Sequence, residues 1–231
     1  MWRRHSDTPP PAIRGAVPWA YSTAEIWADG AVHALGVTSV LAASVILMFF
    51  LWGGAATPAE FAAVGVYVAT LVTSLGVSAA YNLWPVSRTK WLLRRLDHSA
   101  IFLLIAGTYT PFAVKLGTFG LLAGVWLVAA LGVALKLLAP GRYDRLTILV
   151  YVALGWSFVF AYEDVLMGLP EPVLWLTGVG GLLYMAGIVF HLLEGLKFHN
   201  AIWHGFVLLA AGIHFGAIAT LLFLGGAAQA G

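Results

Sequence analysis

Seven long apolar runs, near residues 31–53, 61–82, 98–116, 118–139, 146–166, 172–195 and 203–224, alternate with short stretches that hold most of the charge. A hydrocarbon core about 30 Å thick is crossed by roughly 20 residues of α-helix, and each run is long enough. The runs are continuously apolar and do not alternate apolar with polar. That excludes the strands of a membrane barrel and leaves helices, whose backbone groups are satisfied internally. The pattern predicts an all-α polytopic membrane protein, a bundle of seven transmembrane helices.

Lys and Arg fall almost wholly in alternate gaps between the runs. Arg3, Arg4 and Arg14 precede the first; Arg88, Lys90, Arg94 and Arg95 follow the second; Lys136, Arg142 and Arg145 follow the fourth; Lys197 follows the sixth. The other gaps hold Lys115 alone, and the fifth is acidic, with Glu163, Asp164 and Glu171. Eleven basic residues against one put the N-terminus in the cytoplasm and, after seven spans, the C-terminus outside. An even number of spans would destroy this alternation.

Composition sharpens the picture only at its edges. The 231-residue chain is 61% hydrophobic and 10% charged, against about 25% charged in an ordinary soluble domain. Residues 25–226 read as one membrane domain, followed by a short external tail at 227–231. Residues 1–24, with Pro9, Pro10, Pro11 and Pro18, read as a poorly ordered cytoplasmic tail. No apolar segment follows the basic start, so a cleaved signal peptide is not expected. The absence of Cys excludes disulfides and thiolate metal sites. The basic balance fits arginines facing anionic lipid, so the expected partners are membrane lipids and not nucleic acid. The expected location is a bacterial inner (plasma) membrane.

Ionisable groups at membrane depth are costly and ask for a reason. Ser78 and Asn82 share one face near the cytoplasmic end of the second run, and Asn200 and His204 do so at the start of the seventh. Glu25, Asp29 and His33 make an i, i+4, i+8 stripe into the first run, and Asp97 opens the third. Four helices thus bring Ser, Asn, Asp, Glu and His to one depth. Each residue also has a purely structural explanation. Asp97 reads as a helix N-cap, Ser78 as a small packing residue, Glu25 as a solvated helix start, and the two Asn as interhelical glue. His191 and Glu194 read as interfacial, and His214 as a hydrogen-bonding residue inside the bundle. Pro111 implies a kink, with Thr108 and Thr110 available to freed backbone groups. Trp84 and Trp91 inside, with Trp52 and Trp175 outside, suit interfacial belts.

The segment LDHSAIFLLIAGTYTPF (96–112) resembles the signature of the hemolysin III family, within the progestin and adipoQ receptor superfamily. SAAYNLWP (78–85) and NAIWHGFVLLAAGIHFGAI (200–218) resemble its second- and seventh-helix motifs, and Glu25, Asp29, His33 and Gly36 its opening pattern, with Asp where Asn is usual. The resemblance implies seven helices with a cytoplasmic N-terminus. It also implies a zinc ion held by three His near the cytoplasmic leaflet, with a Ser and an Asp beside it, for hydrolysis of ceramide-like lipid amides. Ser78, Asp97 and His204 match that pattern, which makes Asp97 and Ser78 the candidate catalytic residues and His204 the candidate metal ligand. The other two ligand positions hold Asn82 and Asn200, and carboxamides are poor zinc ligands.

Two expectations follow. Without cofactor, Asn82, Asn200, Asp97, Ser78 and His204 form a hydrogen-bonded network, Asn supplying both donor and acceptor. With zinc, His204 needs help from His33, Asp97 or His199. In either case Asn82, Asp97 and His204 are expected within hydrogen-bond or water-bridge distance. The corresponding functions are a lipid-binding or membrane-homeostasis protein, or a zinc-dependent intramembrane hydrolase. A pore-forming cytolysin, suggested by the family name, lacks an amphipathic pore-lining helix and an expected secretion signal.

Overall fold

The computed structural model describes residues 21–140 and 143–227. The predicted tail falls outside the described residues except for its last four, and so does all but Ala227 of the short external tail. Seven segments are long and apolar enough to cross a membrane. They are built from α1 (Thr23–Phe50), α2 (Pro58–Leu83), α3 (Arg88–Leu116), α4 (Phe119–Leu138), α5 (Asp144–Gly155), α6 (Tyr162–Gly168), α7 (Glu171–Leu192) and α8 (His199–Ala227). The fifth span is shared by α5 and α6. No strand occurs among the described residues.

Local chemistry sets the helix ends. Ser22 and Thr57 cap α1 and α2 in capping boxes closed by Glu25 and Glu60, with Pro58 in the first turn of α2. Gly117 ends α3 in the left-handed region at φ 71°, where L side chains are strained. The third helix starts ten residues before its apolar run, capped by Ser87. Asp97 therefore lies well inside α3, and the N-cap explanation for it is overturned. Its first turns are charged because they lie on the basic face of the bundle, the end carrying Arg88, Lys90, Arg94 and Lys136.

The helices pack in sequence order from α1 to α5, and α8 closes back onto α1 and carries α7 on its other flank. Among the described residues α5 and α7 share no extensive interface. The third helix is central, with 61% of its apolar window buried against 17–33% in the others. Tyr67, Leu71, Phe112, Ile218 and Leu221 anchor one core, and Phe102, Tyr109, Val125, Ala129 and Leu154 a second between α3, α4 and α5. Close approach needs small residues. A Cβ on Gly107 would strike Thr70, and one on Gly187 would strike Trp203 and Phe206.

The fifth span departs from the single helix its sequence predicts. It breaks after Gly155 into a tight 3₁₀ turn, Ser157–Ala161, before α6 begins. Broken backbone at membrane depth needs internal partners, and Tyr109 on α3 supplies them. Its hydroxyl faces the carbonyls of Leu154 and Gly155 at 3.0 and 2.8 Å and accepts from the N–H of Phe158 at 3.1 Å. Pro111, by contrast, sits in a helix that continues to Leu116. Thr108 and Thr110 donate to the carbonyls of Leu104 and Ala106, so neither reaches the carbonyl that the proline leaves without its donor. Trp84, Trp52 and Trp175 are exposed as belt residues should be, but Trp91 is buried at 4% exposure and does not join the belt.

Candidate functional site

Three helices each present an i, i+4 polar pair to one point near the basic face: Asp29 and His33 on α1, Ser78 and Asn82 on α2, Asn200 and His204 on α8. The Asp29 carboxylate is the hub. One oxygen meets Nδ1 of His204 at 2.5 Å, and the other accepts from the Asn200 amide at 3.0 Å. The same amide donates to Asn82 Oδ1 at 3.2 Å, and Asn82 Nδ2 donates back to the Ser78 carbonyl at 2.9 Å and reaches its hydroxyl at 3.4 Å. His33 Nε2 lies 3.6 Å from Asp29 Oδ2, and its ring centroid is 4.4 Å from that of His204. Asp29, His33 and His204 are all buried, at 6, 5 and 8% exposure.

Further contacts lock this geometry. Glu25 does more than start a helix: its Oε1 accepts from the N–H of Phe198 at 3.0 Å, tying the start of α1 to that of α8. Phe198 holds a positive φ of 63° there, which a non-glycine residue adopts only when its surroundings enforce it. Lys90 folds back to the carbonyls of Asn82 and Trp84 at 3.1 and 2.9 Å, a cation on the C-terminal end of α2. Tyr21 packs over His199 with ring centroids 5.7 Å apart. Burial, helped by the negative charges of Asp29, Glu194 and Glu25, pushes its hydroxyl pKa up to about 12.

Asp97 occupies a different place from the network. No direct hydrogen bond joins it to Asn82 or His204 among the described residues; its carboxylate lies 3.5 Å from Nδ1 of His98, which also meets the Arg94 carbonyl at 2.8 Å. Asp97 and His204 instead share the walls of two cavities. The smaller, about 80 Å³, is also lined by His33 and Ser78. The larger, about 1500 Å³, has Asn82, Asp97, Asn200 and His204 at its polar end and runs between α3, α5, α6, α7 and α8 along apolar residues such as Ile101, Ile105, Ile148 and Ile188. His199 faces Tyr21 and His214 meets the Thr177 carbonyl at 3.1 Å, so neither joins the Asp29 network.

Sequence reasoning missed the rim of this cavity. Asp144 binds Lys136 at 2.6 Å and Arg94 at 2.9 Å, joining α3, α4 and α5, and both cations are buried. In the sequence they register only as topological charges. Their positions inside helical continuations of the apolar runs were the available signal.

Residues 22–215 match the model of the family described as haemolysin-III related. The chain belongs to this family. It is 36% identical over 187 residues to the hemolysin-3 homolog of Bacillus subtilis (strain 168), covering 78% of this chain and 86% of the relative. Hemolysin-3 of Bacillus cereus is 41% identical over 124 residues, 52% of this chain and 57% of the relative. The human monocyte to macrophage differentiation factor is 32% identical over 162 residues, 64% of this chain and 65% of the relative. These matches also place the chain in the progestin and adipoQ receptor superfamily.

The three-His zinc set that the resemblance implies does not fit this hemolysin III-related chain. Asn82 and Asn200 stand at two of its positions and are bonded to each other, and Asn200 also donates to Asp29. The donor set present is Asp29, His33 and His204, whose ligand atoms lie within 4.8 Å of one another; such a group is able to bind a metal ion.

Proposed function

We propose that the protein binds a membrane lipid in the large cavity and acts in lipid handling or membrane homeostasis. It would reside in the plasma membrane, the inner membrane of a bacterium, with its basic face toward the cytoplasm. The observation that carries this reading is the shape and polarity of the cavity. Its volume of about 1500 Å³ exceeds the roughly 300–1,000 Å³ of ordinary small-molecule pockets. Charged and amide groups cluster at one end and mainly apolar side chains line the remainder, with Thr108, Thr177 and His214 among them, as a headgroup and acyl chain require. Among the described residues α5 and α7 share no extensive interface, which would give such a lipid a lateral route from the bilayer.

The test is a photoactivatable diacyl lipid, reconstituted with the protein in nanodiscs and mapped by peptide mass spectrometry. Crosslinks at the cavity-lining Ile148 and Ile188 support lipid in the cavity. Crosslinks confined to the outward-facing Leu149 and Val189 would contradict it.

A second reading, a zinc-dependent intramembrane hydrolase of ceramide-like lipid amides, draws on Ser78 and Asp97 lining the same small cavity as His204. Its metal would need ligands other than the three-His set. Turnover of a labelled ceramide panel, lost in Asp97→Ala with folding intact, would favour it. No turnover by the wild-type protein, alongside bound lipid, would leave the binding reading alone.

A further inference from the structure

The geometry points to a divalent transition-metal site formed by Asp29, His33 and His204 on α1 and α8, displaced from the three-His position. This goes beyond lipid binding and does not depend on it.

His33 Nε2 is buried and has no hydrogen-bond partner. At 3.6 Å from Asp29 Oδ2 it lies beyond hydrogen-bond range, and a buried polar atom left in that state is costly. A proton shared by His204 and Asp29 satisfies that pair and leaves His33 unserved. A metal ion satisfies both imidazoles and the carboxylate together.

The distances suit it. Zinc bonds to His and carboxylate of about 2.0–2.2 Å put tetrahedral ligand atoms roughly 3.3 Å apart. With one ligand atom from each residue, the three atoms lie within 4.8 Å of one another, close enough for small side-chain adjustments to reach that separation. Two imidazoles and one carboxylate select a borderline ion such as Zn²⁺ or Co²⁺ over Mg²⁺ and Ca²⁺, which take oxygen ligands. Three protein ligands leave one position open, and the 80 Å³ cavity lined by His33, His204, Ser78 and Asp97 gives it room for water. The carboxamides gain a role as well. Asn200, itself bonded to Asn82, donates to Asp29 Oδ2 and fixes the carboxylate's orientation, the task of outer partners in metal sites.

The full-length protein in mild detergent, stripped with chelator and then loaded with Zn²⁺ or Co²⁺, tests the assignment. The wild type and His199→Asn, which removes a buried His outside the site, should each bind one ion per chain. His33→Asn and Asp29→Asn should bind at least tenfold more weakly. Equal binding by His33→Asn and the wild type, or no binding by the wild type, overturns the site. Should the variants fail to fold, the Co²⁺ spectrum of the wild type decides. Intense ligand-field bands of a four-coordinate ion support the assignment, and their absence overturns it.

Discussion

Asp29 is the residue on which the polar network depends. It is buried among His33, Asn200 and His204, so its removal strands several polar groups at once. Each buried polar group left without its hydrogen-bond partner costs about 1–3 kcal/mol. Asp29→Ala should therefore lower thermal stability in detergent by an amount of that order, whereas Asp97→Ala, outside the network, should leave it nearly unchanged. Equal losses in the two variants would mean that Asp29 is not the hub. Tyr21 carries a pH prediction. Its folded pKa lies above the ordinary value of 10, so its contribution to stability is complete below about pH 10 and fades as pH rises toward about 12. Tyr21→Phe should remove that part of the alkaline dependence, which pH-resolved melting would detect. At this scale the sequence was only partly legible. The i, i+4 spacings on α1, α2 and α8 identified which residues share a face. Which carboxylate they enclose depends on helix rotation and on where α3 begins, and neither can be read from a hydrophobic pattern.

Among the elements, the fifth span is the least regular, and its weak point is visible. Tyr109 holds the ends of the break after Gly155, and Phe158 stacks on its ring with centroids 3.9 Å apart. Tyr109→Phe keeps the stacking and removes the hydroxyl, leaving the part-buried Gly155 carbonyl and Phe158 N–H without it, while Ser157 Oγ still donates to the Leu154 carbonyl. The expected loss is about 1–3 kcal/mol, with faster amide exchange confined to residues around 154–158. Unchanged exchange there would show that water or lipid serves these groups. Span number and type were legible because apolar length and backbone satisfaction leave one solution. The break was not, since Gly155 followed by Trp156 lowers helix propensity without specifying a partner, and the partner lies 46 residues away. The early start of α3 was hidden for a related reason: its charged first turns read as loop, whereas Arg94 is paired across to Asp144.

For the whole molecule, the bundle packs tightly around α3 and loosely between α5 and α7, and the large cavity lies at the loose side. Its polar end coincides with the basic face and the Asp29 network, so headgroup, network and basic rim share one depth. None of this space could be read from the chain, because a cavity is made by helices that do not meet. Gly178 on α7 lines it, and a Cβ placed there meets nothing within 4 Å. Gly178→Leu should fold normally and occupy lipid volume. The most direct measurement is native mass spectrometry of the protein purified in mild detergent, wild type beside Gly178→Leu. A lipid retained by the wild type and largely lost from the variant is the predicted result. A wild-type protein that carries no lipid, or a variant that carries just as much, would contradict the account.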